Sequence, residues 1–449
     1  MALKTKEELK KWEASRKRTY ILFCFFLGLI GTEYSIVVPS LLTYLRDVIK
    51  VEYEKTWFAL ITAAYWISSM VSNLTITKYA DRTRNIRRCF YVGFSIVSLG
   101  NFLYTIPHSV VFPFVGRSLQ GFADGMLSVS FGEVLRVYPE DQAVEKMSFL
   151  VSSFYATFLM GPMFSLVFSN VDIHVLGIHL TVTNLPTLII GFLWWICIFL
   201  NWLFVRNLSK EYDLKAETRK YETSTGEKTV CSKISTDEEP GDNKDDQMTI
   251  RRLFSSKEFR IILSINFLCA YAGVGYYDAA LPFICKNYFE MKVQTVTILF
   301  GANGVVFVLM LVFILRRISL QNNEIYIIIV GLAIFIMAIQ SMALSALMSQ
   351  VRSIGISFLV LYTITNGISW SVEQVLLGVV VAKMIPSRHQ SYTEGIRRSL
   401  SSLAYIMGGL VTPLLNEYLV EQLNFFSGIL FLNVLYLFTS DLKFEPQWD

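Results

Sequence analysis

The sequence predicts an all-α membrane protein whose twelve transmembrane helices form two similar six-helix halves around a charged central pathway. Three observations predict it: long apolar blocks, a one-sided distribution of Lys and Arg, and an internal repeat. Of 449 residues, 53% are hydrophobic and 17% charged, against roughly 25% charged in an ordinary soluble domain. Blocks such as 187–205, 295–315 and 325–346 approach the ~20 residues that cross ~30 Å of hydrocarbon as a helix. Without water to satisfy backbone groups only helices or closed barrels span lipid, and these blocks lack the two-residue alternation of a barrel strand.

In order, the blocks predict helices over 19–44, 57–77, 89–107, 110–136, 146–170 and 183–206, then over 258–285, 293–315, 324–348, 354–384, 396–418 and 425–440. The first block is long enough to be a span and lacks a convincing cleavage site, so it is read as a helix and not as a removed leader. Basic residues concentrate in cytosolic connections. With the N-terminus inside, the cytosolic segments collect 33 of the 40 Lys and Arg, the opposite side collects six, and Arg117 lies within a span. Both termini are therefore expected in the cytosol.

Residues 207–257 are mixed in charge and rich in Ser and Thr, too polar to fold alone, and read as a flexible cytosolic linker. Ser235 and Thr236, beside Asp237-Glu238-Glu239, are candidates there for a phosphorylation switch or simply part of a solvated tether. The linker divides an N-terminal bundle, 1–206, from a C-terminal bundle, 258–449. A displacement of about 245 residues relates the two: Tyr34 with Tyr277, Gln120-Gly121 with Asn366-Gly367, and Leu159-Met-Gly-Pro162 with Ile406-Met-Gly-Gly409, at offsets of 243, 246 and 247. Transporters use such duplication to place a site at the interface of the repeats and alternate its exposure.

The net charge of +4 follows membrane sidedness and gives no reason to expect nucleic acid as a partner. The six cysteines have no metal-ligand spacing and imply no disulfide framework. No metal site and no cofactor are expected. Nor is an enzyme expected, because the chain has no His-Glu-x-x-His, no nucleophile signature and no cysteine cluster.

Charges in the bilayer centre cost at least ~2.5–3.5 kcal/mol on insertion scales, so each needs a reason. Five fall deep in spans: Glu33 in helix 1, Arg117 and Asp124 in helix 4, Asp278 in helix 7 and Glu373 in helix 10. Arg117, Gly121, Asp124 and Gly125 share one helical stripe, with the two charges about two turns, roughly 10 Å, apart. A lipid-buried carboxylate resists ionisation and a nearby cation offsets that resistance. Glu33 with Arg117 is thus a candidate proton-loading pair; the alternative is a fixed ion pair that locks helices. Tyr34, Gln120, Tyr277, Asn366 and Trp370 are candidate pocket residues, Tyr34 and Tyr277 at repeat-equivalent positions; single aromatics elsewhere also serve as interfacial anchors. Asp81, Arg82 and Arg88 follow helix 2 and are candidates for a cytosolic gate. His108, His174 and His179 lie on the outer side, where loop solvation accounts for them.

Arg117-Ser-Leu-Gln-Gly121-Phe-Ala-Asp-Gly125 resembles the helix 4 signature of the major facilitator superfamily. Tyr79-Ala-Asp81-Arg82-Thr-Arg84-Asn-Ile-Arg87-Arg88 is similar to its loop between helices 2 and 3, and Gly161-Pro162 to the core of its helix 5 motif. The loop departs from the pattern with Thr77 where a glycine is usual and Arg84-Asn85 around the second glycine, which predicts looser packing there. Asn184-Leu-Pro186 looks most like the lysosomal subgroup that includes major facilitator superfamily domain-containing protein 8. The resemblance implies the major facilitator fold, a cavity lined by helices 1, 4, 7 and 10, and a lysosomal in preference to a plasma membrane.

The function expected is secondary active transport of a small polar or anionic solute, proton-coupled, by a monomer in contact only with lipid, solute and protons. An anion channel or uniporter, and a non-transporting scaffold or receptor, are the rival readings. Electrical recording separates the first, and neutralising Arg117 separates the second.

Overall fold

A computed structural model describes residues 6–157, 168, 171–175, 178–211, 254–281, 284–285, 288–291, 293–311, 324–384, 389–414 and 418–439. The first half holds α1 (Lys6–Thr43), α2 (Glu54–Thr83), α3 (Ile86–Thr105), α4 (Val111–Gln120), α5 (Ala123–Val137), α6 (Glu140–Ala156), α7 (Leu185–Phe204) and the short α8 (Leu208–Glu211). The second holds α9 (Lys257–Val274), α10 (Val293–Leu309), α11 (Glu324–Leu347), α12 (Arg352–Lys383), α13 (Gln390–Leu414) and α14 (Leu419–Thr439). As far as the described residues run, every predicted span coincides with a helix or helix pair, and six helices are long and apolar enough to cross a membrane. Gly161-Pro162 and most of the linker, Ser235 and Thr236 included, lie outside the described residues.

The surface inverts the soluble pattern. Ile298, Phe425, Leu432 and Phe438 are all more than 60% exposed, whereas Glu33, Arg117, Arg136, Glu373 and Arg397 are buried. Apolar side chains facing outward and charges facing inward suit a bilayer solvent.

Three predicted boundaries change for physical reasons. The first helix begins at Lys6, well before residue 19, because its polar start is docked: Glu7 and Glu8 occupy the first turn, where acids suit the helix dipole. Trp12 Nε1 donates to the carbonyl of Leu208 at 3.3 Å and Arg16 Nη1 to that of Val137 at 3.0 Å. Predicted helix 4 is two helices, α4 and α5, joined by a tightened turn in which Phe122 N–H donates to Leu119 O and Asp124 N–H to Gly121 O. Both joining residues keep right-handed helical angles, so this is a bend and not a break in direction. The connection before α7 is a β-hairpin, β1 (Asp172–Val175) with β2 (Ile178–Thr181).

An aromatic column fixes the first half. Phe26 meets Phe94 at 4.8 Å and Phe94 stacks on Trp194 at 5.0 Å, tying α1, α3 and α7 at ~0.5–1.5 kcal/mol per pair beyond burial. In the second half α11 packs on α12 and α14, and α9 on α13. The halves meet where α13 lies along α2 and α5, and where α6 touches α10 and α12.

The α2–α13 crossing corrects the expectation of loose packing. Thr77 does stand on α2, but the small residue is on the facing helix: a Cβ on Gly395 would sit 3.0 Å from Thr77 Cγ2, closer than side chains approach. At the end of α2, Arg84 takes a left-handed backbone with φ 51°, the conformation that glycine adopts without steric cost.

Candidate functional site

Glu33 is 2% exposed and bound at both oxygens. Asn101 Nδ2 on α3 donates to Oε1 at 2.8 Å, and Trp194 Nε1 on α7 donates to Oε2 at 3.0 Å. From Asn101 the bonds continue: Gln120 Nε2 donates to Asn101 Oδ1 at 3.0 Å, and Arg117 Nη1 donates to Gln120 Oε1 at 2.9 Å. Glu33 and Arg117 are therefore joined by a two-amide relay and not by direct contact. Arg117 also lies over the rings of Tyr65 and Tyr34, at 4.2 and 5.3 Å from their centroids.

The arginines differ in a telling way. Arg136 pairs with Asp81, and Arg397 pairs with Glu394 at 2.6 Å. Arg117 is as buried as these, yet among the described residues no carboxylate reaches it within ion-pair distance. A buried guanidinium that donates to one amide and otherwise lies over two aromatic faces has donor capacity to spare for an anion.

From Tyr34 and Tyr65 the aromatic lining runs across the boundary of the halves. Trp66 packs on Tyr34 at 5.4 Å and on Tyr405 of α13 at 4.6 Å. Tyr155 of α6 packs on Phe307 of α10 at 4.3 Å and accepts a bond from Trp370 Nε1 at 3.3 Å. Beside this lining Asp124 accepts from Ser69 at 2.6 Å, from Asn73 at 2.7 Å and from Arg398 of α13 at 2.8 Å.

Nearer the end of the bundle that carries Lys6, Asp81 accepts from Arg136 and from the backbone N–H groups of Ser391 and Tyr392, at 3.2 and 2.6 Å. Those two N–H groups open α13, so a carboxylate of one half caps a helix of the other. Glu133, 3.7 Å from Arg136, accepts from Ser209 N–H and Oγ at 2.9 and 2.6 Å. This end of the bundle is thereby latched.

The remaining candidates divide. Arg82 and Arg88 are exposed, and the arginine paired with Asp81 is Arg136. Tyr277 donates to the carbonyl of Phe300 at 3.1 Å within the second half. Asn366 is buried, and among the described residues its Oδ1 accepts no hydrogen bond. Glu373 is fully buried, and among the described residues its carboxyl has the Cys269 thiol, a weak donor, beside it and no N–H or O–H donor. Asp278 belongs to the π-helical turn Gly275–Ala280 that extends α9; its side chain lies outside the described residues.

Sequence reasoning missed Asn101, Trp194, Tyr65, Arg136 and Arg398. Arg136, Arg397 and Arg398 sit at the edges of apolar blocks and counted as connecting-segment charges; they are helical and turned inward.

A family model described as Major Facilitator Superfamily matches residues 19–409. The chain belongs to the major facilitator superfamily. Among solved structures it resembles the human organic anion transporter MFSD10 (TETRAN), at 15% identity and a TM-score of 0.69, covering 94% of this chain and 99% of that one. It also resembles the proton:xylose symporter XylE bound to 6-bromo-6-deoxy-D-glucose, at 12% identity and a TM-score of 0.73, covering 95% and 97%. At these identities both likenesses establish the fold. No curated protein sequence matches the chain.

Proposed function

We propose that this major facilitator protein is a proton-coupled secondary transporter of a small organic anion, working by rocking of residues 1–206 against 258–449. The observation that carries the reading is Arg117, buried with no carboxylate partner among the described residues and lying over the rings of Tyr34 and Tyr65. The anion's carboxylate or equivalent group takes the unused guanidinium donors, and Tyr65, Trp66 and Tyr405 line its body. The relay through Gln120 and Asn101 lets occupancy at Arg117 be felt at Glu33, the proton carrier. The two structural neighbours, an organic anion transporter and a proton symporter, agree with the two parts of this reading.

The latched end is the cytosolic end in this reading, in keeping with the basic termini, so the conformation described is closed to the cytosol. The likeness of Asn184-Leu-Pro186 to the lysosomal subgroup supports a lysosomal membrane, which fractionation of the tagged protein tests.

The deciding experiment is uptake of a panel of mono- and dicarboxylates into liposomes carrying the purified protein, with and without an imposed pH gradient. One charge-assisted contact is worth ~1.5–3 kcal/mol, so Arg117→Gln should weaken apparent affinity about ten- to hundredfold. Glu33→Gln should abolish the response to the gradient while leaving anion exchange. Gradient-driven uptake that survives Glu33→Gln would sink the coupling, and uptake indifferent to Arg117→Gln would sink the anion seat. Flux far above ~10⁶ per second is faster than domain rocking on μs–ms timescales allows and would establish a channel.

A further inference from the structure

The hairpin between α6 and α7 lies at the end of the bundle opposite the latch, and its two strands pair antiparallel. Ile173, Val175, Ile178 and Leu180 occupy one face, while Asp172, His174, His179 and Thr181 occupy the other. His174 and His179 are direct cross-strand partners, with ring centroids 4.4 Å apart and planes 11° from parallel. His179 Nε2 is 2.6 Å from Asp172 Oδ1. One ligand atom from each of the three side chains lies within 4.8 Å of the others.

We propose that Asp172, His174 and His179 form a transition-metal site for a divalent ion of the Zn2+ or Cu2+ class. Two imidazoles and one carboxylate are the donors such borderline ions prefer, whereas Mg2+ and Ca2+ require a shell of oxygens. Tetrahedral ligands at 2.0–2.2 Å from zinc sit about 3.3 Å from one another, so small side-chain rotations convert the observed cluster into a ligand set. The fourth position stays open to water or to a further donor. Access is unobstructed: the Asp172 side chain is 76% exposed and that of His179 35%.

The base of the hairpin is held rigidly. Asn184 Nδ2 donates to the carbonyls of His179 at 2.9 Å and Thr105 at 3.0 Å, and Asn184 Oδ1 accepts from Thr181 N–H at 2.8 Å. The ligands are thus presented on a scaffold anchored to α3 and α7, where preorganisation favours binding. A two-stranded hairpin is marginally stable alone, and a metal bridging both strands would clip it.

The test uses the full chain, purified in detergent with a histidine-free tag and stripped of metal by a chelator. Zn2+ is titrated by calorimetry and Co2+ by its visible absorption. The expected result is one equivalent bound per chain, undisturbed by excess Mg2+ and unchanged in His108→Ala. Losing a ligand should cost more than the ~10- to 100-fold that an outer-shell partner is worth, so His174→Ala and His179→Ala should each weaken binding beyond that range. His179→Gln serves as a second variant that keeps the size of the side chain. Absence of a one-equivalent site in the wild-type chain, or a site that survives loss of both histidines, would overturn the proposal.

Discussion

Arg398 of α13 donates to Asp124 of α5 at 2.8 Å, so an ion pair with its carboxylate buried and its guanidinium partly buried joins the two helical halves beside the aromatic lining. Removing one partner strands the other charge, which in buried pairs costs about 3–5 kcal/mol. Asp124 also holds Ser69 and Asn73 of α2, so its loss frees donors on both sides of the contact. Asp124→Asn and Arg398→Gln should each lower the thermal midpoint of the purified protein. The double variant should be less damaged than the sum, with a coupling of about 0.5–3 kcal/mol. Strict additivity would mean that the pair carries no joint energy.

The latch at Asp81 makes a conformational prediction. Asp81 accepts from Arg136 within its own half and from the first backbone N–H groups of α13 across the halves; the cross-half contacts exist only while this end is closed. Asp81→Asn should shift the population toward opening there. A cysteine introduced at exposed Lys78 would report nothing, since it is accessible in either state; one introduced at buried Thr77 should react faster with a polar maleimide in the Asp81→Asn background.

The helix crossing gives an independent handle on the same closure. A side chain on Gly395 would collide with Asn73 and Thr77 of α2, and overpacking of this kind costs typically ~1–3 kcal/mol. Gly395→Val should therefore slow transport and raise labelling at position 77. Gly428→Ala, where a Cβ meets nothing within 4 Å, is the control that should leave both unchanged.

Much of this architecture was legible in the sequence, and the reason is length scale. Apolar blocks of about twenty residues and a charge bias by side are local properties of the chain, and the blocks located every described helix except the short α8, which falls at the start of the segment read as a linker. The charges Glu33, Arg117 and Asp124 stood out because each interrupts such a block. Their partners did not: Asn101 and Trp194 are ordinary residues until folding brings them 2.8 and 3.0 Å from Glu33. Arg398 was hidden for a different reason. It sits at the polar margin of a span, and a long guanidinium stem lets such a residue turn inward as readily as outward. The pairing of His174 with His179 depends on strand register, which a separation of five residues leaves undetermined.

The relay predicts that hydrogen bonding and packing at Glu33 separate. Trp194 both donates to Glu33 Oε2 and stacks on Phe94, and Trp194→Phe removes the donor while keeping a ring in the stack. A buried acceptor left without its partner costs ~1–3 kcal/mol. The variant should lose stability by that order and alter the response of uptake to a pH gradient. Wild-type behaviour in both measurements would show that Asn101 alone suffices to hold the carboxylate.

Glu373 yields the opposite expectation for stability. It is completely buried in α12, and among the described residues the only donor beside its oxygens is the weak thiol of Cys269. Burying a carboxyl group with so weak a partner is costly, so a hydrophobic side chain of similar size should serve the fold as well. Replacing such a group by an apolar one is commonly neutral or stabilising. Glu373→Leu should thus unfold at the same temperature as the wild-type protein or higher. If the carboxyl is retained for work and not for structure, the same variant should fail in gradient-driven uptake, and Glu373→Asp should recover part of it. Stable, fully active Glu373→Leu would remove this residue from the pathway, and an unstable one would mean that Cys269, the polar group beside it, is a structural partner after all.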